Sequence, residues 1–359
     1  MGSDNEGLEE HFARREKRES RALRKRAQRT DRSGQKKSDR EKERPAEIPL
    51  HLPRGRVLAM LGREIVVDHR GERLHCVLRG SLKEGAKRLK TLLAVGDFVR
   101  FEPTTEGEGV IVAIEKRRSL LTRADPLSKR RAHLIAANID LVLITGSVVS
   151  PPLKPPLIDR YLIAARKGGM EAAIVLNKVD LLQGGEEQTL YDHFVATYRE
   201  IGYTVIPTSI ETGEGIEEIR SAMRGKAAAF SGQSGVGKSS LINAVCGTHL
   251  AVGDVVRTTQ KGSHTTTRAQ LLPLGEETYC IDTPGIKSFG VWELTAEELQ
   301  SHFPEIAQMS SGCRFPNCSH THEPSCAVLE ALEAGTLSQL RYRSYTTLLA
   351  ELDTPHLRR

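Results

Sequence analysis

The segment GQSGVGKSS at 232–240 constrains the fold of this 359-residue chain more than any other feature. It matches the phosphate-binding pattern G-x-x-x-x-G-K-[ST], and it lies between the strand-like AAAFS and the helical SLINAVC, as the pattern requires. Glycines let backbone N–H groups converge on phosphate oxygens, Lys238 would contact the outer phosphates, and the Ser239 hydroxyl would bind magnesium. A glycine-rich turn without a ligand is the alternative. The predicted nucleotide-binding residues of this loop are Gly232, Gln233, Ser234, Gly235, Val236, Gly237, Lys238, Ser239 and Ser240.

A second motif, Asn177-Lys178-Val179-Asp180, ends the strand-like run AAIVL. The Asp180 carboxylate can accept hydrogen bonds from N1–H and the exocyclic amine of guanine, a donor pair that adenine lacks, and Asn177 can support the purine edge. The sequence therefore predicts GTP as the ligand rather than ATP. Ser209, after the next strand-like run, is a further candidate contact to the base. In isolation, NKVD would also suit an ordinary polar turn.

A third motif, Asp282-Thr283-Pro284-Gly285, follows the apolar run TYCI. Asp282 at a strand end can hold magnesium through water, and the Gly285 N–H is available to the γ-phosphate. The order of the three motifs is unusual, because the base-reading segment precedes the phosphate loop, whereas in ordinary small GTPases it follows. We therefore predict a circularly permuted domain, which keeps the three-dimensional site and moves the chain ends.

The polar segment from Gly253 to Arg268 is the predicted first switch. Either Thr265 or Thr266 should reach magnesium and the γ-phosphate. Ile286 stands where Ras-like enzymes have a water-positioning glutamine, so we expect intrinsic hydrolysis to be slow. His264 or a partner would complete the site, and completion by a partner can raise the rate by about 10³- to 10⁵-fold. His264 could equally contact the partner. The candidate catalytic residues are His264, Lys238, Thr265 and Thr266, and the candidate magnesium ligands are Ser239, Thr265, Thr266 and Asp282.

Near the C-terminus, Cys313-x4-Cys318-x-His320-x5-Cys326 places three thiolates and one imidazole in a short loop. Four such ligands suit tetrahedral zinc with no open position, which predicts a structural metal and disfavours a zinc-dependent enzyme. His322 is a competing ligand, and unrelated buried cysteines are the alternative. The cysteines that stand alone in apolar runs are interpreted as small buried hydrophobic residues: Cys76, Cys246 and Cys280.

Five short strand-like runs separated by Gly, Pro and charged turns occupy residues 55–116. They are GRVLAM, REIVVD, RLHCVL, DFVRF and GVIVAI. They suggest a small OB-type barrel, which usually binds oligonucleotides, although barrel shape alone does not establish a ligand. The basic residues of the following link could contact RNA or stay solvated: Arg117, Arg118, Arg123, Lys129, Arg130 and Arg131.

Beyond Asn138, apolar strand-like runs alternate with amphipathic helical ones, the pattern of a parallel α/β sheet with ligands at the carboxyl ends of its strands. The predicted fold class is multi-domain: an N-terminal five-stranded OB-type β-barrel, a central α/β P-loop GTPase domain that is circularly permuted, and a C-terminal, mainly α, zinc-binding domain. We place the boundaries at 1–49 for a basic arm, 50–118 for the barrel, 119–290 for the GTPase domain and 291–359 for the zinc-binding domain.

Positive charge is concentrated at residues 13–44, which hold fifteen Lys and Arg against six Asp and Glu. With few apolar residues, this arm should be disordered when free, and it either attracts nucleic-acid phosphates or is a solvated tail. No run of about eighteen apolar residues could span a membrane and there is no secretory h-region, which predicts a cytoplasmic protein. The C-terminal arginines could serve RNA binding or only solubility: Arg341, Arg343, Arg358 and Arg359.

The chain resembles the RsgA family of circularly permuted GTPases in the order of its motifs. NKVD precedes GQSGVGKSS, which precedes HTTT and DTPG, and a predicted barrel lies before these motifs and C-x4-C-x-H-x5-C after them. The resemblance covers residues 50–345, outside the basic arm, whose role it leaves open. It implies that barrel, GTPase domain and zinc domain together dock on the small ribosomal subunit and its rRNA. It also implies that the subunit stimulates GTP hydrolysis during late maturation in bacteria. The hydrophobic Ile286 agrees with that family.

Two function classes follow from the sequence. The first is a GTP-hydrolysing assembly factor with Mg²⁺ and one structural Zn²⁺; nothing in the sequence demands a dimer, so we expect a monomer. The second is a GTP-gated RNA-binding module whose hydrolysis is incidental. Turnover stimulated by ribosomal subunits would separate the two.

Overall fold

The computed structural model describes residues 48–80, 82, 92–125, 128–247, 269–282 and 294–353, with only the backbone at 123–125, 128–133, 282 and 353. The described residues from Pro49 onward belong to one compact unit. Some positions named above lie outside the described residues: the basic arm at 13–44, His264, Thr265, Thr266, Gly285, Ile286, Arg358 and Arg359.

The first five strands close into a barrel in the order β1-β2-β3-β5-β4. The strands are β1 (Arg54–Leu61), β2 (Glu64–His69), β3 (Glu72–Leu78), β4 (Phe98–Pro103) and β5 (Glu108–Ile114). Alternate residues point inward and fill the barrel, which is why the apolar runs have the two-residue period of strands. The buried interior includes Val57, Val67, Cys76, Val99, Phe101 and Ile111. The predicted five-stranded barrel is confirmed.

The basic link after the barrel is a β-hairpin, which the sequence did not predict. Strands β6 (Leu120–Asp125) and β7 (Ser128–Ala137) pair antiparallel, and their charged residues conceal the strand pattern. Arg117 is half-buried, and its Nε and Nη2 donate to the fully buried Asp97 carboxylate at 2.7 and 2.8 Å, so this residue of the link has a partner within the protein. Asn138 then joins the barrel to the next domain: its Nδ2 donates to the Gly96 carbonyl at 3.1 Å.

A six-stranded sheet forms the centre of the unit, in the order β10-β9-β8-β11-β13-β12. Its strands are β8 (Leu141–Ser147), β9 (Glu171–Asn177), β10 (Thr204–Thr208), β11 (Ala227–Gly232), β12 (Gln270–Gly275) and β13 (Thr278–Asp282). All adjacent pairs are parallel except β12 with β13, which makes β12 an antiparallel edge strand. The parallel sheet predicted from the alternating pattern is confirmed.

Helices cover both faces of this sheet, as a buried parallel sheet requires. They are α1 (Pro155–Lys167), α2 (Gly185–Glu200), α3 (Ile216–Met223) and α4 (Lys238–Cys246). Residues of α1 and α2, among them Tyr161 and Phe194, pack on one face. Residues of α3 and α4, among them Ile219 and Leu241, pack on the other.

The C-terminal part is helical, with α5 (Ala296–Ser301), α6 (Pro304–Ser310), α7 (Ala327–Glu333) and α8 (Gln339–Asp353). Its apolar core includes Phe303, Tyr345 and the metal-ligand candidates Cys318 and Cys326, and Ile163 of α1 belongs to the same core. The C-terminal helices therefore pack directly on the central domain. None of the helices in the described ranges combines the length and apolar composition needed to traverse a bilayer.

Arg341 corrects the interpretation of the C-terminal arginines. It is 1 % exposed and pairs with Asp159 of α1 and Glu305 of α6, so it cannot serve as an RNA contact or a solubilising charge. Arg343, two positions further along α8, is exposed.

Candidate functional site

The phosphate loop leaves β11 at Gly232 and enters α4 at Lys238. Gly232, Gly235 and Gly237 have φ angles of +143°, +88° and +93°, a region that favours glycine. A Cβ at Gly232 would lie 2.0 Å from the Thr145 carbonyl oxygen, so this position also needs glycine for space. Because the first N–H groups of a helix have no partner within it, the loop and the start of α4 form an anion-binding site.

Lys238 lies over this loop. Its Nζ donates to the carbonyl oxygens of Gly232 at 2.9 Å and Gln233 at 2.6 Å. The ammonium is therefore held where the outer phosphates of a nucleotide would offer it charged acceptors, which form stronger hydrogen bonds than carbonyls. Ser239 and Ser240, in the first turn of α4, are exposed to a ligand.

Asn177 connects the base-reading segment to the phosphate loop. It is 1 % exposed, and its Nδ2 donates to the Val236 carbonyl at 2.8 Å. A Cβ added at Gly237 would lie 2.5 Å from this Nδ2 and 3.9 Å from Cδ1 of Ile210, which brings the NKVD segment and the loop after β10 to the phosphate loop. The amide nitrogen of Asn177 thus bonds to the phosphate loop. Its Oδ1 is buried without a partner among the described atoms, so Oδ1 is the atom that would contact a purine.

Lys178 ties three loops together, a role that the sequence did not indicate. The residue has a φ of +66°, and its Nζ donates to the carbonyl oxygens of Gly235 at 2.8 Å and Ser150 at 2.6 Å. These carbonyls belong to the phosphate loop and to the loop after β8. Directly after Lys178, a single 3₁₀ turn at Val179–Leu181 carries Asp180, which is exposed.

Ser209 is fully buried and shapes the loop that follows β10. Its Oγ accepts from the Thr212 N–H at 3.2 Å, and its own N–H donates to the Glu214 carbonyl at 3.1 Å. The side chain thus holds the loop next to the phosphate loop, while a direct contact of Ser209 to a base remains a prediction.

The backbone brings the DTPG strand to the same end of the sheet. Strand β13 runs parallel to β11 with Ile281 opposite Ala229, so their carboxyl ends at Asp282 and Gly232 share one edge of the sheet. Asp282 as a magnesium ligand stays a prediction. Its side chain, like the switch residues, lies outside the described part of the chain.

A second site lies in the C-terminal part. The ligand atoms of Cys313, Cys318, His320 and Cys326 all lie within 4.8 Å of one another. Cys313 Sγ is 3.8 Å from Cys326 Sγ, and His320 Nδ1 is 3.5 and 3.4 Å from these two sulfurs. The competing His322 is exposed and its Nδ1 contacts Thr321 Oγ1 at 2.9 Å, so the structure groups His320 rather than His322 with the cysteines. The donor set fits a metal ion.

Burial and hydrogen bonds define the surroundings of this cluster. Burial, with the neighbouring Cys326 sulfur, raises the pKa of the Cys318 thiol to about 12. His320 has a φ of +60°, and the Tyr342 hydroxyl donates to its carbonyl at 2.9 Å. The Glu323 carboxylate accepts from the N–H groups of Ser319 at 2.6 Å and Thr321 at 3.1 Å, which holds the loop around the ligands.

A cationic cleft at one end of the barrel was not anticipated from the sequence. Its volume is about 480 Å³, and none of the described residues that line it is acidic. Two of its three arginines, Arg54 and Arg100, pair with Glu115 outside the lining at 3.0 and 2.8 Å. Arg70, an exposed residue of the β2–β3 turn, has a φ of +55°, where a side chain costs about 1 kcal/mol. The cleft is lined by His51, Leu52, Pro53, Arg54, His69, Arg70 and Arg100.

Comparison with known proteins identifies the family whose features these are. Residues 114–292 match the family model described as RsgA GTPase. The chain is 37 % identical over 282 residues to the small ribosomal subunit biogenesis GTPase RsgA 2 of Bacteroides thetaiotaomicron, covering 78 % of this chain and 91 % of that protein. It is 41 % identical over 271 residues to the small ribosomal subunit biogenesis GTPase RsgA of Chlorobaculum parvum, covering 73 % and 86 %.

Solved structures give the same result. The fold is similar to that of YjeQ from Thermotoga maritima, with a TM-score of 0.67 at 33 % identity, covering 84 % of this chain and 98 % of that one. It is also similar to YloQ, a circularly permuted GTPase, with a TM-score of 0.65 at 28 % identity, covering 86 % and 98 %. The order of the strands around the phosphate loop agrees with that permutation, as predicted.

Proposed function

This chain belongs to the RsgA GTPase family, whose members hydrolyse GTP, and we propose that it acts in the late maturation of the small ribosomal subunit, which stimulates the hydrolysis. The names of the relatives support the role at the small subunit. The structural observation that carries the GTPase part is the pair of hydrogen bonds from Asn177 and Lys178 to the phosphate loop. They join the base-reading and phosphate-binding segments into one site although their order along the chain is reversed.

Within this site each residue has a chemical task. Asp180 accepts from the guanine N1–H and amine, while Lys238 and the loop N–H groups of 232–240 hold the phosphates. Ser239, Asp282 and one of Thr265 or Thr266 would hold magnesium, which when bound would supply positive charge to neutralise the phosphates. Because Ile286 cannot orient water, His264 or the partner completes the site.

We assign the metal of the C-terminal cluster as one structural zinc ion. A tetrahedral ion bound at about 2.3 Å from sulfur and about 2.0 Å from nitrogen separates two sulfurs by about 3.8 Å and a sulfur from the nitrogen by about 3.5 Å. The Cys313–Cys326 and Cys313–His320 separations of 3.8 and 3.5 Å support this assignment. With all four positions supplied by protein, the ion stabilises the loop and has no open position for catalysis.

The rRNA of the small subunit is the partner we propose for the cationic cleft of the barrel, together with the basic arm. Phosphate oxygens would satisfy the exposed Arg70 and His51, and non-specific attraction of this kind weakens with salt.

We further propose that the chain is divided into an arm at 1–49, a barrel at 50–118, a GTPase domain at 119–290 and a zinc-binding domain at 291–359, and that it is a cytoplasmic monomer. Sedimentation velocity of the full chain tests the monomer.

The main experiment measures steady-state GTP and ATP hydrolysis with and without purified small subunits, large subunits and free rRNA. We expect selective stimulation of GTP turnover by small subunits, and its loss in Lys238→Ala. Absence of stimulation by any of them would contradict the proposal and favour a GTP-gated RNA-binding module with incidental hydrolysis.

A second measurement tests the cleft. Arg70→Ala should weaken binding to small subunits and reduce the salt dependence, since one phosphate contact is lost. Arg73→Ala is the matched control, because Arg73 is an exposed arginine of the neighbouring strand β3 that does not line the cleft. Equal effects of the two variants would exclude a specific role of the cleft.

A further inference from the structure

A buried hydrogen bond joins the barrel to the central sheet. The Tyr279 hydroxyl of β13 donates to Oδ2 of Asp68, on barrel strand β2, at 2.6 Å, and both residues are 8 % exposed. Oδ1 of the same carboxylate accepts from the Gly71 N–H at 3.2 Å. The carboxylate therefore has partners on both oxygens, and burial together with this acceptor raises the pKa of Tyr279, so the hydroxyl remains a donor.

Arg56 of barrel strand β1 fixes the ring of the same tyrosine. Its guanidinium lies 4.7 Å from the centre of the Tyr279 ring, a cation–π distance, and Nη2 donates to the Asn138 carbonyl at 2.5 Å. Arg56 is 6 % exposed. The barrel therefore holds Tyr279 by its hydroxyl and by its ring at once.

The strand that carries Tyr279 leads to the nucleotide site. Tyr279 lies opposite Ala227 of β11, the strand that ends in the phosphate loop, and Asp282 follows three residues later. On its other side β13 pairs with β12, which is the edge strand among the described strands of the sheet. Since one residue of a strand spans about 3.3 Å, even a partial slide of β13 along β11 would displace Asp282 relative to the phosphate loop.

We infer that Tyr279 is a positioning residue of the GTPase site, and that the barrel, through Asp68 and Arg56, holds in register the strand that presents Asp282 to nucleotide-bound magnesium. The inference rests on the proposed function for the role of Asp282. It makes the barrel a component of the nucleotide site as well as a candidate RNA-binding domain. The contact between the barrel and Tyr279 should affect only the part of nucleotide affinity that depends on magnesium, because Lys238 and the phosphate loop bind phosphates without β13.

The test measures the affinity of the full-length protein for a fluorescent, non-hydrolysable GTP analogue in magnesium and in EDTA. Tyr279→Phe keeps the ring under Arg56 and removes one hydroxyl. We expect the gain in affinity from magnesium to fall about 2- to 10-fold, the range for one hydrogen bond, with the affinity in EDTA unchanged. Amide hydrogen exchange at 280–282 should become faster in the same variant.

Two further variants make the result specific. Asp68→Ala removes this acceptor and also the acceptor of the Gly71 N–H, and if the Tyr279 bond carries the effect, the double variant should lose no more than Asp68→Ala alone. Tyr198→Phe is the matched control, because it removes a buried hydroxyl that donates to Asp159 at 2.8 Å, away from β13. A magnesium response of Tyr279→Phe equal to that of the wild type or of Tyr198→Phe would overturn the inference. Failure of the wild type to bind the guanine analogue would instead contradict the proposed function.

Discussion

Arg341 of α8 forms an ion pair with Asp159 of α1, and the two side chains are 2 % and 1 % exposed. Arg341 Nε also donates to Glu305 at 2.6 Å, and its guanidinium lies 4.3 Å from the centre of the Phe303 ring. The Tyr198 hydroxyl donates to the other Asp159 oxygen at 2.8 Å. Burial lowers the pKa of Arg341, but the Asp159 and Glu305 carboxylates outweigh it and hold the pKa above its ordinary value. This cluster joins the GTPase domain to the C-terminal helices.

Arg341→Met should destabilise the protein by about 3–5 kcal/mol, because it leaves the buried Asp159 carboxylate and the half-buried Glu305 carboxylate without their cation. Urea denaturation monitored by circular dichroism measures the loss. Arg343→Ala is the control, since Arg343 is exposed on the same helix and should change stability by less than about 0.5 kcal/mol. Adding Asp159→Leu to Arg341→Met should restore part of the stability. A double variant that is less stable than Arg341→Met alone would contradict this account.

Gly237→Ala should lower GTP affinity about tenfold or more while the protein stays folded. An added Cβ would lie 2.5 Å from Asn177 Nδ2 and displace the amide that holds Val236. Gly184→Ala is the matched control, because its φ of +91° resembles the +93° of Gly237 and a Cβ there meets nothing within 4 Å. Titration with a fluorescent GTP analogue should separate the two; equal affinities would show that backbone strain alone explains the effect.

Asn177→Asp and Asp180→Asn should have different consequences. The first replaces the amide donor to Val236 with a carboxylate, so affinity for GTP and for other nucleoside triphosphates should fall together. The second leaves the phosphate loop intact and should weaken GTP selectively, because an amide nitrogen faces the guanine donors. Competition between GTP, ITP and ATP distinguishes the two outcomes. A base-selective defect in Asn177→Asp would mean that Asn177 acts mainly on the purine.

His320→Ala should release the metal and unfold the C-terminal helices, whereas His322→Ala should bind one equivalent of zinc as the wild type does. Zinc content by atomic emission and far-ultraviolet circular dichroism measure the two effects. Chelation of the wild type should reproduce the His320→Ala spectrum. Full zinc content in His320→Ala would exclude this residue as a ligand.

His302 should make stability fall below about pH 6.5, the ordinary pKa of histidine. Burial, together with Arg166 and Lys167, lowers the pKa of His302, against an opposing contribution from Glu298. The unfolded chain therefore takes up a proton there that the folded chain does not, and the free energy of unfolding drops as pH falls. Urea denaturation at pH 5.5 and 7.5 should show a smaller drop for His302→Asn than for the wild type; identical drops would exclude this origin.

The sequence predicted the chemistry of the sites and the kind of each domain. Phosphate binding at 232–240, guanine selection at Asp180, the reversed motif order, the five barrel strands and the Cys3His set all depend on local spacing. Such spacing can be recognised in a sequence because residues close together in the chain determine strand and helix periods, glycine φ angles and short metal-ligand loops. The sequence favoured His320 over the competing His322 on spacing, and the structure groups His320 with the three cysteines.

Long-range pairing could not be read in this way. Arg341 looks like the exposed Arg343 in the sequence, yet its partner Asp159 lies 182 residues away. Lys178 reaches Ser150 and Gly235, and Tyr279 reaches Asp68 across 211 residues, for the same reason. The sequence does not show whether a charged group or a hydroxyl is solvated or buried. Its contribution to stability depends on which distant group desolvates it and pairs with it. That is why the motifs were found from spacing alone, and the contacts that hold them in one site emerged only when the chain had folded.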